Sequence, residues 1–552
     1  MNEVAKLVVY LNIDAIFELN LFNFLMFKNH SHHIYLVGIL LLVASLPLSM
    51  FLLSLAQIIL LLNWILENNF KEKWNILKSR RSIYGFLVFY LIHILGMIYS
   101  SDLVFGFHDL KIKLPLLVLP IIIGTSTPLN YKRFTGVLLV FCGAVFISTI
   151  ISTGKLLGIW GAPVLDIRDI SIFVSHIRLA LMVNLAIFIL IWLAFKSPSN
   201  SQKAGIILSI VWFIFFLVIL KSLTGIVIFL IIIAALGLWL VFKLSNILVK
   251  WFLVVGLAMC FLLIGSYVSK SVVRFYKVEK VDLNTLENVT KNGNIYFHFP
   301  TNKAFENGNY TWLYVCEPEL EKGWNSRSKL LYKGPDLKGQ ELRLTLIRYL
   351  TSKGLRKDSA GIASLTETDI HNIENGMANY IYSQKFSFYP RIYQVLWEIY
   401  QYQNGGNPSG NSFTQRFEYL KTASHIIKNN FWLGVGTGDV AKAFDDQYVT
   451  DKSNLTLRWR LRAHNQFITF FLTFGLVGFV IICTALIYPV YKEKMGKNYF
   501  GAIFTIIAFL SFLNEDTLET HAGLSFIAFF VSFFLYNKLN EKPRSANTNS
   551  KS

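Results

Sequence analysis

The chain has 552 residues, 54% hydrophobic and 15% aromatic, with only 15% charged and a mean hydropathy of +0.48, which excludes an ordinary soluble enzyme and intrinsic disorder alike. Its net charge of +19, set among long apolar runs, points to membrane phosphates and anionic lipid-linked substrates, and no nucleic-acid partner is expected. Cys142, Cys260 and Cys483 lie inside apolar runs and Cys316 is isolated in a polar region, so the cysteines give neither a disulfide framework nor a zinc pattern.

In chain order, Met1 to Asn20 hold acids and a lone Lys6 where a signal peptide has a basic region, so no cleavable signal is expected. Apolar runs long enough to cross about 30 Å of hydrocarbon follow. The stretch 34–66 reads as a helical pair split near Leu46-Pro47; then come 83–100, 113–127, 133–152, 179–196, 204–220, 223–243 and 249–268. A polar segment at 269–463 interrupts the pattern, and runs at 464–490, 498–513 and 520–537 complete about twelve spans. The expectation is an all-α integral membrane protein with membrane regions at 1–268 and 464–537, a large α+β outer loop between helices 9 and 10, and a tail at 538–552.

Charge in the connecting loops sets the orientation. Lys71, Lys73, Lys78, Arg80 and Arg81 crowd the loop after the second span. Lys132 and Arg133, Lys196 and Lys203, Lys243 and Lys250, and Lys492, Lys494 and Lys497 fill alternate loops, and the tail adds Lys538, Lys542 and Arg544. With twelve spans all fall on one side, which the positive-inside rule makes cytoplasmic. Both termini are then inside and 269–463 outside; a segment that long is exempt from the charge rule.

Within the outer segment, 285–375 carries strand-like runs such as Tyr310–Cys316 bounded by Asn-Gly turns. Helical spacing follows from Glu341 to Ser352, and Leu365-Thr366-Glu-Thr-Asp resembles a helix start, so this part reads as an added α+β subdomain. Residues 376–463 read as mostly helical, with aromatics that anchor at the membrane interface. No internal repeat or inverted-repeat signature of a transporter is present.

The most informative stretch is His464-Asn465-Gln466-Phe-Ile-Thr-Phe-Phe-Leu-Thr-Phe-Gly475-Leu-Val-Gly478. At about 100° per residue, both glycines return to within roughly 40° of the His464 direction, placing an imidazole above a notch for a neighbouring helix. A helix N-terminus disfavours imidazolium and keeps the ring neutral, as a base requires. The bland alternative is a His-Asn helix cap.

This motif resembles the O-antigen ligase family, which shares its domain with O-antigen polymerases and some protein O-oligosaccharyltransferases. The resemblance extends upstream through Arg416-Phe-Glu-Tyr-Leu-Lys to Gly434-Val-Gly436-Thr-Gly438-Asp439, similar to the family's arginine-bearing loop helix and glycine turn. It covers the twelve-span layout and the loop after the ninth span, with 285–375 as an enlargement of the periplasmic loop. Such enzymes, the resemblance implies, move a glycan from undecaprenyl diphosphate to an acceptor hydroxyl, such as that of lipid A-core, on the periplasmic face of the bacterial inner membrane. They need no metal, nucleotide or other cofactor.

The chemistry then requires a base, cations for the diphosphate and a cavity open to membrane lipids. His464 is the expected base and Arg416 the first cation, because arginine offers bidentate donors to phosphate. Arg178, entering the sixth span in Ser175-His176-Ile177-Arg178, is the second. Where the family often has a basic residue inside Ser-x-Thr-Gly, this chain reads Ser222-Leu223-Thr224-Gly225, and Lys221 is the expected substitute. Arg458-Trp459-Arg460-Leu461-Arg462 would present one cationic face if extended, which makes Arg460 and Arg462 candidate diphosphate contacts. Asn465 accompanies the base. In the last outer loop, Glu515 and Glu519, beside Asp516 and His521, offer a carboxylate to orient the imidazole or an arginine, and their spacing forms no metal cluster with His464. The Gly434–Gly438 run lacks a P-loop ending and reads as a helix-terminating turn whose N–H groups face an anion.

Overall fold

The computed structural model describes residues 30–160, 167–197, 199–384 and 387–537. The expectations for the N-terminal stretch before residue 30 and for the tail, including Lys538, Lys542 and Arg544, lie outside the described residues. The chain forms two compact units, one of residues 1–232 with 416–552 and one of residues 233–415. The division differs from the expected boundaries at 268 and 463: the helices that carry Arg416 and the glycine turn belong with the first unit.

Each expected apolar segment falls on a helix. Six helices among the described residues are long and apolar enough to cross a membrane: Tyr131–Leu156, His176–Lys196, Asn200–Ile219, Leu223–Lys243, Ile247–Tyr276 and Gln466–Lys492. Met50–Leu66 and Phe70–Ser79, bent by 108°, pass the same test as a pair. His30–Ser45, Ile83–Met97, Tyr499–Asn514 and His521–Tyr536 are apolar and shorter. Leu103–Thr125 begins ten residues before its expected start and takes in Asp109, Lys111 and Lys113. Small polar residues start many of these helices. Asp102 caps Leu103–Thr125, Asn130 caps Tyr131–Leu156, Ser175 caps His176–Lys196 and Asn465 caps Gln466–Lys492, each accepting an orphan backbone N–H.

The core of the first unit is built around His521–Tyr536, which is buried on every side and so lacks an amphipathic pattern. Phe533 stacks on Phe134 at 4.8 Å between ring centroids, and Phe534 on Phe500 at 5.6 Å. This last helix also packs along Leu103–Thr125, which brings the segment 514–520, just before it, onto the charged turn of that helix.

In the second unit, the polar part is helical with almost no sheet. The expected Tyr310–Cys316 strand reduces to Asn309–Tyr310, paired antiparallel with Phe305–Glu306. The turn is Asn307-Gly308, both in the left-handed region at φ 49° and 88°, as a tight hairpin requires. Beyond it the ladder ends, because Tyr314 turns left-handed at φ 55° and only Val315 bridges onward, to Phe297 and Lys357. The helical expectations hold: Leu342–Ser352 forms, and Thr366 and Asp369 make a capping box for Glu367–Glu374. Leu320, Trp324, Leu346, Ile347, Leu350 and Ile373 fill its core.

Candidate active site

The site is assembled where the start of the Gln466–Lys492 helix meets the segment 513–519. Asn465 is the N-cap: its side-chain oxygen accepts from Ile468 N at 3.1 Å, while its amide donates to Leu513 O at 2.9 Å. His464 therefore precedes the helix, with a left-handed φ of 49°, and the angular projection onto Gly475 and Gly478 does not apply to it. Its backbone N–H donates to Asp516 Oδ2 at 3.1 Å, and Thr469 Oγ1 donates to Asp516 Oδ1 at 2.7 Å. Gln466, fully buried, donates to Glu519 Oε1 and accepts from Leu518 N. One turn of helix thus grips the outer segment at several points.

Two of the expected residues meet on a third. Glu515 Oε2 lies 3.3 Å from His464 Nδ1, and Glu515 Oε1 accepts from Arg416 Nη2 at 3.0 Å. Arg416 stands in the first turn of Thr414–Asn429 and also donates to Asn514 O. Tyr419, one turn later, backs the imidazole with ring centroids 5.5 Å apart and is itself fixed by donating to Trp459 O. Burial would raise the Glu515 carboxyl, but His464, Arg416 and Arg178 together hold it below the ordinary carboxylate range. Asp516 goes the other way: burial pushes its carboxyl up, and the neighbouring Glu519 adds to that. An ionised carboxylate only accepts, so the tautomer that pairs with Glu515 is the one with its proton on Nδ1. The His464 side chain is 30% exposed.

The other candidates divide. Arg178 is turned toward the same segment, donating from Nε to Thr520 Oγ1 at 2.9 Å and from Nη1 to Ser175 Oγ. Lys221 stands in a left-handed turn (φ 49°) before Leu223–Lys243, whose Gly225 lies against Ala180 of the Arg178 helix. Arg458 stands in the 3-10 turn Leu457–Trp459, so the five residues 458–462 are not one extended run. Arg460 donates to Leu455 O within its own loop, whereas Arg462 is paired with Glu519 Oε2 at 2.9 Å. His521 faces Gln57.

The glycines are a further correction. Gly475, at φ 62° and ψ −169°, breaks the helix, and Trp432 and Leu433 of the loop before the glycine turn lie against it. The glycine turn enters the break: Val435 N and Gly436 N donate to Leu472 O and Thr473 O, while Leu476 N and Val477 N donate to Phe431 O and Trp432 O. A Cβ on Gly475 would lie 2.2 Å from Trp432 C, and one on Gly434 would lie 2.4 Å from Thr473 O. Thr437 N and Gly438 N bond Gly96 O and Ser100 Oγ, and Asp439 accepts from Ser101 and Asp102. These N–H groups hold protein acceptors, so the expected anion nest is a structural splice.

Residues 371–483 match the family model described as O-antigen ligase, a span that holds Arg416, the glycine turn and His464. Over that span the chain is similar to the O-antigen ligase family. The match ends before Glu515, so the carboxylate side of the candidate site comes from the structure. No match was found among curated proteins. Sequence reading missed Lys113, Asp109 and Tyr419; Asp516 and Gln466 stood in the quoted motifs but were given no role of their own. The Asp109-x-x-x-Lys113 pair at the head of an otherwise apolar run was the signal that could have revealed the first two, because a charged pair at that depth needs partners.

Proposed function

We propose that this chain is an O-antigen ligase that transfers a glycan from undecaprenyl diphosphate to a hydroxyl of lipid A-core on the periplasmic face of the bacterial inner membrane. The observation that carries the reading is the Glu515 carboxylate, which faces His464 with one oxygen and Arg416 with the other. His464 Nε2 takes the acceptor's proton as its oxygen attacks the anomeric carbon; the bond from that carbon to the diphosphate oxygen breaks, and configuration inverts. Arg416, which has further N–H donors beyond its bond to Glu515, and Arg178 offset the charge on the departing undecaprenyl diphosphate. Lys221 serves the lipid phosphate from the neighbouring helix start. A positioned proton acceptor contributes about 10²–10⁴-fold, and the cations and alignment supply the rest.

The test is the glycan profile of a deletion strain. Loss of all capped lipopolysaccharide, with long lipid-linked chains retained, supports the ligase. Core bearing single repeats would assign a polymerase instead, and unchanged glycans would end the transferase reading. Orientation is checked separately by single cysteines: at Ser245 and Lys494 they should resist an impermeant thiol reagent in spheroplasts, and at Ser326 they should react. Labelling at Lys494→Cys with protection at Ser326→Cys would reverse the outer-face assignment.

A further inference from the structure

Below the His464 group lies a second set of charges that the reaction above does not use. Lys113, 1% exposed and in the middle of Leu103–Thr125, donates from Nζ to Asp109 Oδ1 at 2.7 Å and to Glu519 Oε2 at 2.9 Å. Arg462 Nη1 donates to the same Glu519 oxygen, and Gln466 occupies the other. His93, Asp109, Lys113, Arg462, Thr473 and Glu519 line a small cavity there. Two carboxylates face two cations, so the group is neutral as a set. A lysine buried this deeply in an apolar helix is costly unless a partner is fixed beside it, and here that partner is Glu519.

Glu519 lies three residues from Asp516 and four from Glu515, on the segment that holds His464 from two sides. We propose that Lys113 is a positioning residue for the transfer reaction: through Glu519 it fixes the 514–520 segment, and its charge balances the carboxylates beneath His464. The inference rests on His464 acting as the base. The groups around that imidazole are Glu515 and Asp516 from the outer segment, Arg416 and Tyr419 from the Thr414–Asn429 helix, and Arg178, which acts on Glu515 from the His176–Lys196 helix. Removing Lys113 leaves this surrounding with one uncompensated negative charge. That favours imidazolium, which cannot accept a proton.

The experiment uses full-length protein in detergent, with extracted membranes of the deletion strain supplying donor and acceptor. Lys113→Met should lower kcat by about 10- to 100-fold with little change in donor KM, the scale for a misplaced reacting group. The acid limb of its rate profile should move up by about one pH unit, the scale of one unbalanced neighbouring charge. Lys113→Met with Asp109→Asn restores neutrality and should return the limb to its wild-type position. Gln466→Leu, which loosens the segment without changing charge, should lower kcat and leave the limb in place, and it decides the positioning claim if Lys113→Met does not fold. Wild-type kcat in folded Lys113→Met or in Gln466→Leu overturns the proposal, as does a limb in Lys113→Met that stays put. If His464→Asn is inactive while these variants behave as wild type, only the role of Lys113 fails; an active His464→Asn removes the base assignment itself.

Discussion

The two polar groups that meet on residues 514–520 make opposite uses of charge. Around Glu515 the partners are partly open: the side chains of His464 and Arg416 are 30% and 33% exposed, and Arg416 has N–H donors left over. Around Glu519 nearly everything is enclosed, and one carboxylate satisfies Lys113, Arg462 and Gln466 together. Desolvation makes the lower group a structural commitment, because a buried charge without its partner is far more costly than an exposed one. The upper group can exchange protein partners for phosphate or a proton. The same short segment thus joins an enclosed ion group to a more open one, and the two should respond differently to mutation.

The largest expected effect is in the enclosed group. Glu519→Leu leaves Lys113 with Asp109 alone and strips Arg462, so it should cost about 3–5 kcal/mol of stability; thermal unfolding in detergent and membrane yield measure it. A near-wild-type melting temperature would show that the lower group is not structural. His464→Asn comes next. Asparagine tolerates the left-handed backbone and Asn465 still caps the helix, so folding should be unchanged while transfer falls by about two orders of magnitude or more. Retained transfer would make His464 a mere lead-in to the cap.

Arg416→Ala should raise donor KM or slow leaving-group departure by about tenfold, the order of one lost charge-assisted bond of about 1.5–3 kcal/mol. Arg416→Lys should recover only part, for want of the planar fork. A change confined to acceptor KM would put Arg416 on the wrong side of the reaction. The smallest effect belongs to Asn465→Ala, which removes a cap and the tether to Leu513 O and should cost about 1 kcal/mol in unfolding.

The pH response sharpens the contrast. Glu515 is held below its ordinary range, so its contribution is intact above the unfolded value of about 4.3 and is lost only as pH falls through the lower folded value. Asp516 is raised, so its contribution is full below its unfolded value of about 3.9 and is lost as pH rises through the higher folded one. Glu515 therefore stays ionised between about pH 7 and pH 5, and activity lost there is not its titration. Glu515→Gln, measured over that range, should lower the rate without abolishing the acid limb.

Sequence alone determined the apolar helices, because hydrocarbon demands long runs of one residue class and those runs are visible without a fold. Local capping was legible too: Asn465 before Gln466 and Thr366 before Glu367 need only their own next turn. His464 and Arg416 could be read as candidates from short motifs. What surrounds them could not. Glu515 reaches both only because the 514–520 segment returns 51 residues after His464 and 99 after Arg416, and Lys113 meets Glu519 across more than four hundred residues. Spacing along the chain carries no record of such encounters; helix packing does. The glycines show the same limit. Gly475 counted as a helix-face notch in one dimension, whereas the tertiary structure makes it a break into which a loop is spliced by backbone bonds. A left-handed glycine and its helical neighbour look alike in sequence, and only the backbone brought against them decides which conformation is paid back in hydrogen bonds.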